Sequence, residues 1–314
     1  MKRGFLLVLL LVVITPGCSS SGDDVTENGL HVRLLEEVGD GFNRVSAGRD
    51  QLIAFDGGDG YVIDPATGAP TGVVIDLPAS HTRRAVADDG SIWFTSTELD
   101  PPAMRMDPSG GAGIELVMPP GLVGVGVAVS GDRGWVMAPF DHKAVPFTAD
   151  GVAGVPVDVP CEMIVADDPL PGDDRSVWAY CEQGVARIDT VTGQATLVDI
   201  GGPPTGLALT DSALWAAREG KLYAIDVDTG SIAKTVDRSD AHGLAGSGDD
   251  LWVTGGGITL HSASDGAQVA GPVGLPEISD QVGTAIQEIA AIDGRLFLTL
   301  NFYGTPLVMV DRPA

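Results

Sequence analysis

The residues of this chain best suited to chemistry are few and scattered. His81, Glu162, His242 and Glu288 are of the types that move protons or ligate metals, but each stands alone without a flanking motif. A lone His or Glu at a strand end is more often solvated or hydrogen-bonded for structural reasons. Cys18, Cys161 and Cys181 complete the set, and no histidine lies at metal-ligand spacing from any of them. There is no Gly-x-Ser-x-Gly elbow, no phosphate-binding loop and no metal-spaced histidine pair. His142 and His261 fall in outer-strand contexts and carry no case. What the four acid-base candidates can do therefore depends on the elements that position them.

Those elements come from a repeat. All five tryptophans, Trp93, Trp135, Trp178, Trp215 and Trp252, recur in one phrase at a spacing near forty residues, and Ile53 and Phe297 occupy the same slot in frame. Aligning on that slot gives seven units: 44–79, 80–120, 121–160, 161–202, 203–240, 241–278 and 279–314. Each opens with a small-residue strand such as GVAVS, GLALT, GLAGS or EIAAI, turns into the slot strand, and continues to a third strand. The third strand ends at a turn such as IDPATG (63–68), IDTVTG (188–193) or IDVDTG (225–230), followed by a fourth strand. Four short antiparallel strands per unit predict an all-β, seven-bladed propeller, in line with 43 glycines, 21 prolines and only 5% aromatic residues. Small residues suit the strand that crowds a central channel, and the large slot side chain fills the space between blades, so the tryptophans are read as core. The Asp and Gly of the turns close hairpins, and none has the ligand density of a calcium loop. The seventh unit ends after its third strand, so residues 30–38 are expected to supply the missing outer strand and close the seam. His81, Glu162, His242 and Glu288 all fall near the starts of first strands, which would bring them to one channel mouth.

Residues 1–18 read as an export signal: Lys2 and Arg3, an apolar run from Gly4 to Ile14, then Gly17-Cys18. The run is shorter than the roughly 20 residues a spanning helix needs. The stretch resembles a bacterial lipoprotein signal, which implies lipidation of Cys18 and an extracytoplasmic protein held at the cell membrane; an ordinary secretory signal leaving a free thiol is the competing reading. Residues 19–29 are expected to be a flexible tether and 30–314 a single domain. Removing Lys2 and Arg3 takes the net charge from -25 to -27. A body so acidic repels nucleic acid and anionic headgroups, so nucleic acid is excluded as a partner and membrane attachment falls to the lipid. With Cys18 assigned, Cys161 and Cys181 remain as a pair. Their midpoint falls at 171, inside DDPLPGDD (167–174), so they are expected to face each other directly across a hairpin as a disulfide.

The phrases PTGLALTDSALWAAREGKLYAIDVDTG (204–230) and HGLAGSGDDLWVT (242–254) resemble the quinoprotein-like, YVTN and streptogramin-lyase-like propeller superfamily over essentially the whole mature chain. In quinone-dependent dehydrogenases of that superfamily a tryptophan follows the Asp-x-x-Thr-Gly turn; here Ala69, Gln194 and Ser231 follow it, which argues against quinone binding. The lyases use His and acidic residues at the channel with a divalent metal. That resemblance implies His242 and Glu288 as acid and base, with Glu162 or His81 helping to hold the metal. The expectation favoured here is different: a monomeric, non-enzymatic lipoprotein with no cofactor, presenting its disc to an envelope protein or small ligand, with the metal-dependent lyase or lactonase-like hydrolase as the alternative.

Overall fold

The computed structural model describes residues 24–35, 44–77, 83–96, 103–109, 113–131, 133–164, 171–275, 286–300 and 307–312. Seven antiparallel sheets stand around a central axis, with inner strands of neighbouring blades in contact. Blade 3 shows the pattern: Gly126–Ser130 innermost, then Arg133–Ala138, Lys143–Phe147 and Val157–Asp158. We call upper the face on which inner strands begin and second strands turn into third strands.

The slot residues explain why blades adhere. On the inner strands six of the seven face a small partner: Ser46 opposite Ile53, Ala85 opposite Trp93, Ala128 opposite Trp135, Ala208 opposite Trp215, Ala245 opposite Trp252 and Ala290 opposite Phe297, while the Trp178 backbone N–H donates to the Pro171 carbonyl at 3.0 Å. Each slot side chain is buried and packs against the following blade. Trp93 meets Val127 and Val136 of blade 3, Trp215 meets Leu251 and Val253 of blade 6, and Phe297 of blade 7 meets Val45 and Leu52 of blade 1. The core is thus a ring of inter-blade clusters, each contributing a few kcal/mol for a fully buried large side chain.

The seam closes as expected. Leu30–Leu35 pairs with Leu307–Asp311 as the outer strand of blade 7, burying Leu30 and Val32. One correction concerns the tether: Val25–Glu27 is a fifth strand, antiparallel to Leu30–Leu35. Its cause is the Asn28-Gly29 turn, both residues at positive φ (50° and 78°), the pairing that a two-residue hairpin favours. Asn28 also donates its side-chain amide to the Pro272 carbonyl at 2.8 Å, pinning the hairpin to blade 6. Cys18 lies outside the described residues.

A second correction concerns blade 4, whose sheet has three strands, Ser176–Cys181, Gly184–Asp189 and Ala195–Asp199. Among the described residues, the segment before them pairs at isolated bridges, Met163 with Cys181 and Gly172 with Val177. These bridges have different register, and Pro171, beside the second, cannot donate to a ladder. The Cys161–Cys181 disulfide is present, with Cα atoms 5.9 Å apart, but it runs diagonally rather than straight across, because Met163 takes the place opposite Cys181.

The Asp-x-x-Thr-Gly turns work as read. Asp226 accepts the backbone N–H of Thr229 at 2.8 Å and that of Asp228 at 3.1 Å. Asp64 and Asp189 do the same locally, and these bonds hold all three carboxyls below the usual carboxylate range.

Two outcomes follow. Placing a Cβ on Gly134 would put it 2.0 Å from Trp93 Cε3, so Gly134→Ala is expected to cost about 1–3 kcal/mol in urea unfolding by displacing a buried indole. For the turns, a folded-state pKa below the unfolded one stabilises above the unfolded value and ceases to do so as pH falls through the folded value. The stability gap between wild type and Asp226→Asn should therefore be full well above pH 3.8 and shrink as pH drops from there through the lower folded-state value, measured as urea midpoint against pH.

Candidate functional site

The inner strands enclose a central cavity of about 620 Å³, walled mainly by small side chains and backbone. Its polar groups concentrate at the two mouths: His242 and Glu288 toward the upper face, Arg49 and Asp88 toward the lower one. At the lower mouth, burial raises the Asp88 carboxyl and Arg49 opposes this, while Asp174, Asp50 and Asp89 add to the rise.

Glu288 sits in the blade 7 inner strand Ile286–Ile292, where the register shifts between Ile286 and Glu288. Such a shift re-aims the side chain. The carboxylate points across to blade 1, where one oxygen pairs with the Arg44 guanidinium and the other accepts the Val45 backbone N–H at 3.0 Å. Arg84 of blade 2 joins the group electrostatically: its guanidinium lies 4.0 Å from the Phe55 ring centroid. Burial pushes the Arg84 pKa down to about 10, with Glu288 opposing and Arg44 reinforcing that fall. With Glu288 at 4% and Arg84 at 3% exposure, this is a buried charge cluster tying together blades 7, 1 and 2.

The sequence-predicted residues are divided by the structure. His242 and Glu288 line the same cavity, His242 with an exposed side chain and a backbone N–H donated to the Thr254 carbonyl at 2.8 Å. Glu162 is exposed on the upper face of blade 4 and is not among the cavity residues. His81 lies outside the described residues. Among the described residues no three His, Cys, Asp or Glu side chains gather as metal ligands. His142 sits on the upper face of blade 3, its Nδ1 2.7 Å from the Cys161 carbonyl oxygen. His261 is buried within blade 6 between Thr259 and Gly266, and burial lowers its pKa. The residues that sequence reasoning passed over are Arg44 and Arg84. Their signal was present: a cation in an inner strand otherwise built of small residues, as in RVSA and RRAV.

No protein-family model matches the chain, and no curated protein matches it in sequence. Solved structures do match, by shape. In fold, the chain is like virginiamycin B lyase. A catalytically inactive form of that lyase from Staphylococcus aureus, crystallised with quinupristin, superposes at TM-score 0.65 with 18% identity, over 91% of this chain and 100% of the lyase. The selenomethionine-substituted lyase gives TM-score 0.62 at 16% identity over the same shares. U3-55K gives TM-score 0.63 at 8% identity, over 89% of this chain and 98% of its own. At these identities the likeness to virginiamycin B lyase and to U3-55K is one of architecture, consistent with the streptogramin-lyase-like propeller resemblance.

The geometry assigns Glu288 a structural charge role that a substitution can measure. Glu288→Gln removes the carboxylate from two buried or half-buried guanidiniums and is expected to cost about 3–5 kcal/mol in urea unfolding. A value within error of zero would mean that the carboxylate is spared for other work.

Proposed function

We propose that the chain is a lipid-anchored, extracytoplasmic propeller that acts by binding, offering its channel and its faces to a partner in the cell envelope. The observation that carries this reading is the state of Glu288. A general base or metal ligand at the channel mouth needs a carboxylate available to substrate or ion, whereas this one is satisfied by Arg44 and by the Val45 N–H. His242 then stands as a single exposed imidazole. A cavity of about 620 Å³ is within the range of small-ligand sites, which supports binding of a small molecule there. Anchoring at Cys18 rests on the signal-like N-terminus alone.

The alternative is a metal-dependent lyase or lactonase-like hydrolase. It is favoured by one observation: His242 and Glu288 share a cavity on a scaffold shaped like a lyase. Calorimetry with Mg²⁺ and Mn²⁺ on residues 24–314, wild type against the His242→Ala, Glu288→Ala double variant, separates the two. The binding reading expects no micromolar metal uptake at this site; uptake by wild type that His242→Ala alone also abolishes, with the variants shown folded by circular dichroism, would favour the enzyme reading. Cys18→Ser is expected to move the protein from the membrane fraction to the soluble one and to abolish incorporation of labelled palmitate.

A further inference from the structure

The upper face of blades 3 and 4 carries exposed apolar side chains that the fold does not use. Phe140 is 74% exposed, Val117 65% and Val123 50%. Ile164, at its edge, and Pro119 and Pro120 extend the patch. The segments bearing them are fastened to one another. Leu122 donates its N–H to the Pro119 carbonyl at 3.1 Å, and Val125 donates to Met137 at 2.8 Å, which brings the 117–125 stretch beside the second strand of blade 3. That strand runs into the short helical turn Pro139–Asp141, whose tip is Phe140. On its far side the Val159 N–H reaches the His142 carbonyl at 2.8 Å, the His142 ring meets the Cys161 carbonyl, and Ile164 donates to Tyr180 at 2.9 Å. The disulfide between Cys161 and Cys181 locks this last segment down.

An exposed aromatic on a braced turn has the makings of an interface anchor, since little ordering remains to be done on binding. Its surroundings say what kind of partner fits. Glu115, Asp141, Asp158, Glu162 and Glu182 are exposed on the same face around it, and the nearby cation Lys143 is paired to Asp158. An acidic rim on a chain of net charge -25 repels another copy of itself and repels anionic headgroups. It complements a basic protein surface.

We propose that the blade 3–4 upper face is a docking surface for a protein segment that presents an apolar side chain flanked by Lys or Arg, with Phe140 as the anchor and Glu162 and Glu182 among the charges that orient it. The proposal rests on the reading of the chain as a binding module, but it uses a surface separate from His242 and Glu288.

The test uses the mature chain in about 150 mM salt, where exposed charges beyond roughly 8 Å are screened. Fluorescence anisotropy would be measured with two helical peptides of equal charge, one built of Leu and Lys and one with every Leu replaced by Ser. The expected result is micromolar binding of the Leu-Lys peptide, at least tenfold weaker with the Ser peptide, with Phe140→Ser, and with Glu162→Gln, Glu182→Gln, and unchanged by His242→Ala. These side chains are exposed, so thermal melting should show every variant folded. Equal affinity for both peptides, or for wild type and Phe140→Ser, would mean charge alone and overturn the proposal, as would no binding of either peptide. Phe140-dependent dimerisation in sedimentation, or Phe140-dependent flotation with zwitterionic vesicles, would assign the surface to a second copy or to the membrane and overturn it equally. Metal uptake at His242 and Glu288 would instead overturn the binding-module reading while leaving the peptide result standing.

Discussion

Everything in this molecule depends on one contact repeated around a ring: a large side chain on the second strand of each blade reaches into the next blade, in six of the seven over an Ala or Ser on its own inner strand. The two halves of that contact need each other. The small inner residue lets the inner strands crowd the axis without collision, and the large slot residue fills the wedge that opens outward between diverging sheets. A channel of useful width is a by-product of this arrangement, since its walls must be built from residues too small to close it.

That constraint also explains where the sequence was legible. A side chain with so narrow a geometric job leaves a periodic trace, and five tryptophans with Ile53 and Phe297 in frame were enough to count blades and place strands. The Asp64, Asp189 and Asp226 turns were readable for the same reason, because each solves its backbone problem within four residues. The disulfide partners were readable by elimination. Their register was not, because the pairing at Met163 and that at Gly172 do not share one register. The fifth strand at the seam was missed although Asn28-Gly29 announces a hairpin, since a polar segment after a signal-like stretch invites reading as a tether.

The candidate site was legible only as a neighbourhood. Strand-start positions brought His242 and Glu288 to one cavity, but whether a carboxylate is available depends on partners far away in sequence. Arg44 is 244 residues from Glu288, and the register shift that turns Glu288 toward it has no local signature. Long-range charge pairing of this kind is invisible to periodicity, and here it decides between a base and a bracket. The upper face of blades 3 and 4 differs again: Phe140 breaks the pattern of polar turns, and its meaning lies in being left over by the packing that accounts for the other large aromatics.

The slot contacts also have a direction, and direction acquires a meaning during synthesis. Each blade leans on the one that follows it in the chain, so as the polypeptide emerges from its amino end, only the most recent slot residue awaits cover: Trp93 until blade 3 appears, Trp215 until blade 6. The exception is the end of the ring. Phe297 is covered by Val45 and Leu52, which were made first, and Leu307–Asp311 is flanked by Leu30–Leu35. The earliest blade and the hairpin at Asn28-Gly29 must therefore wait, open on one side, for the last residues of the chain to arrive.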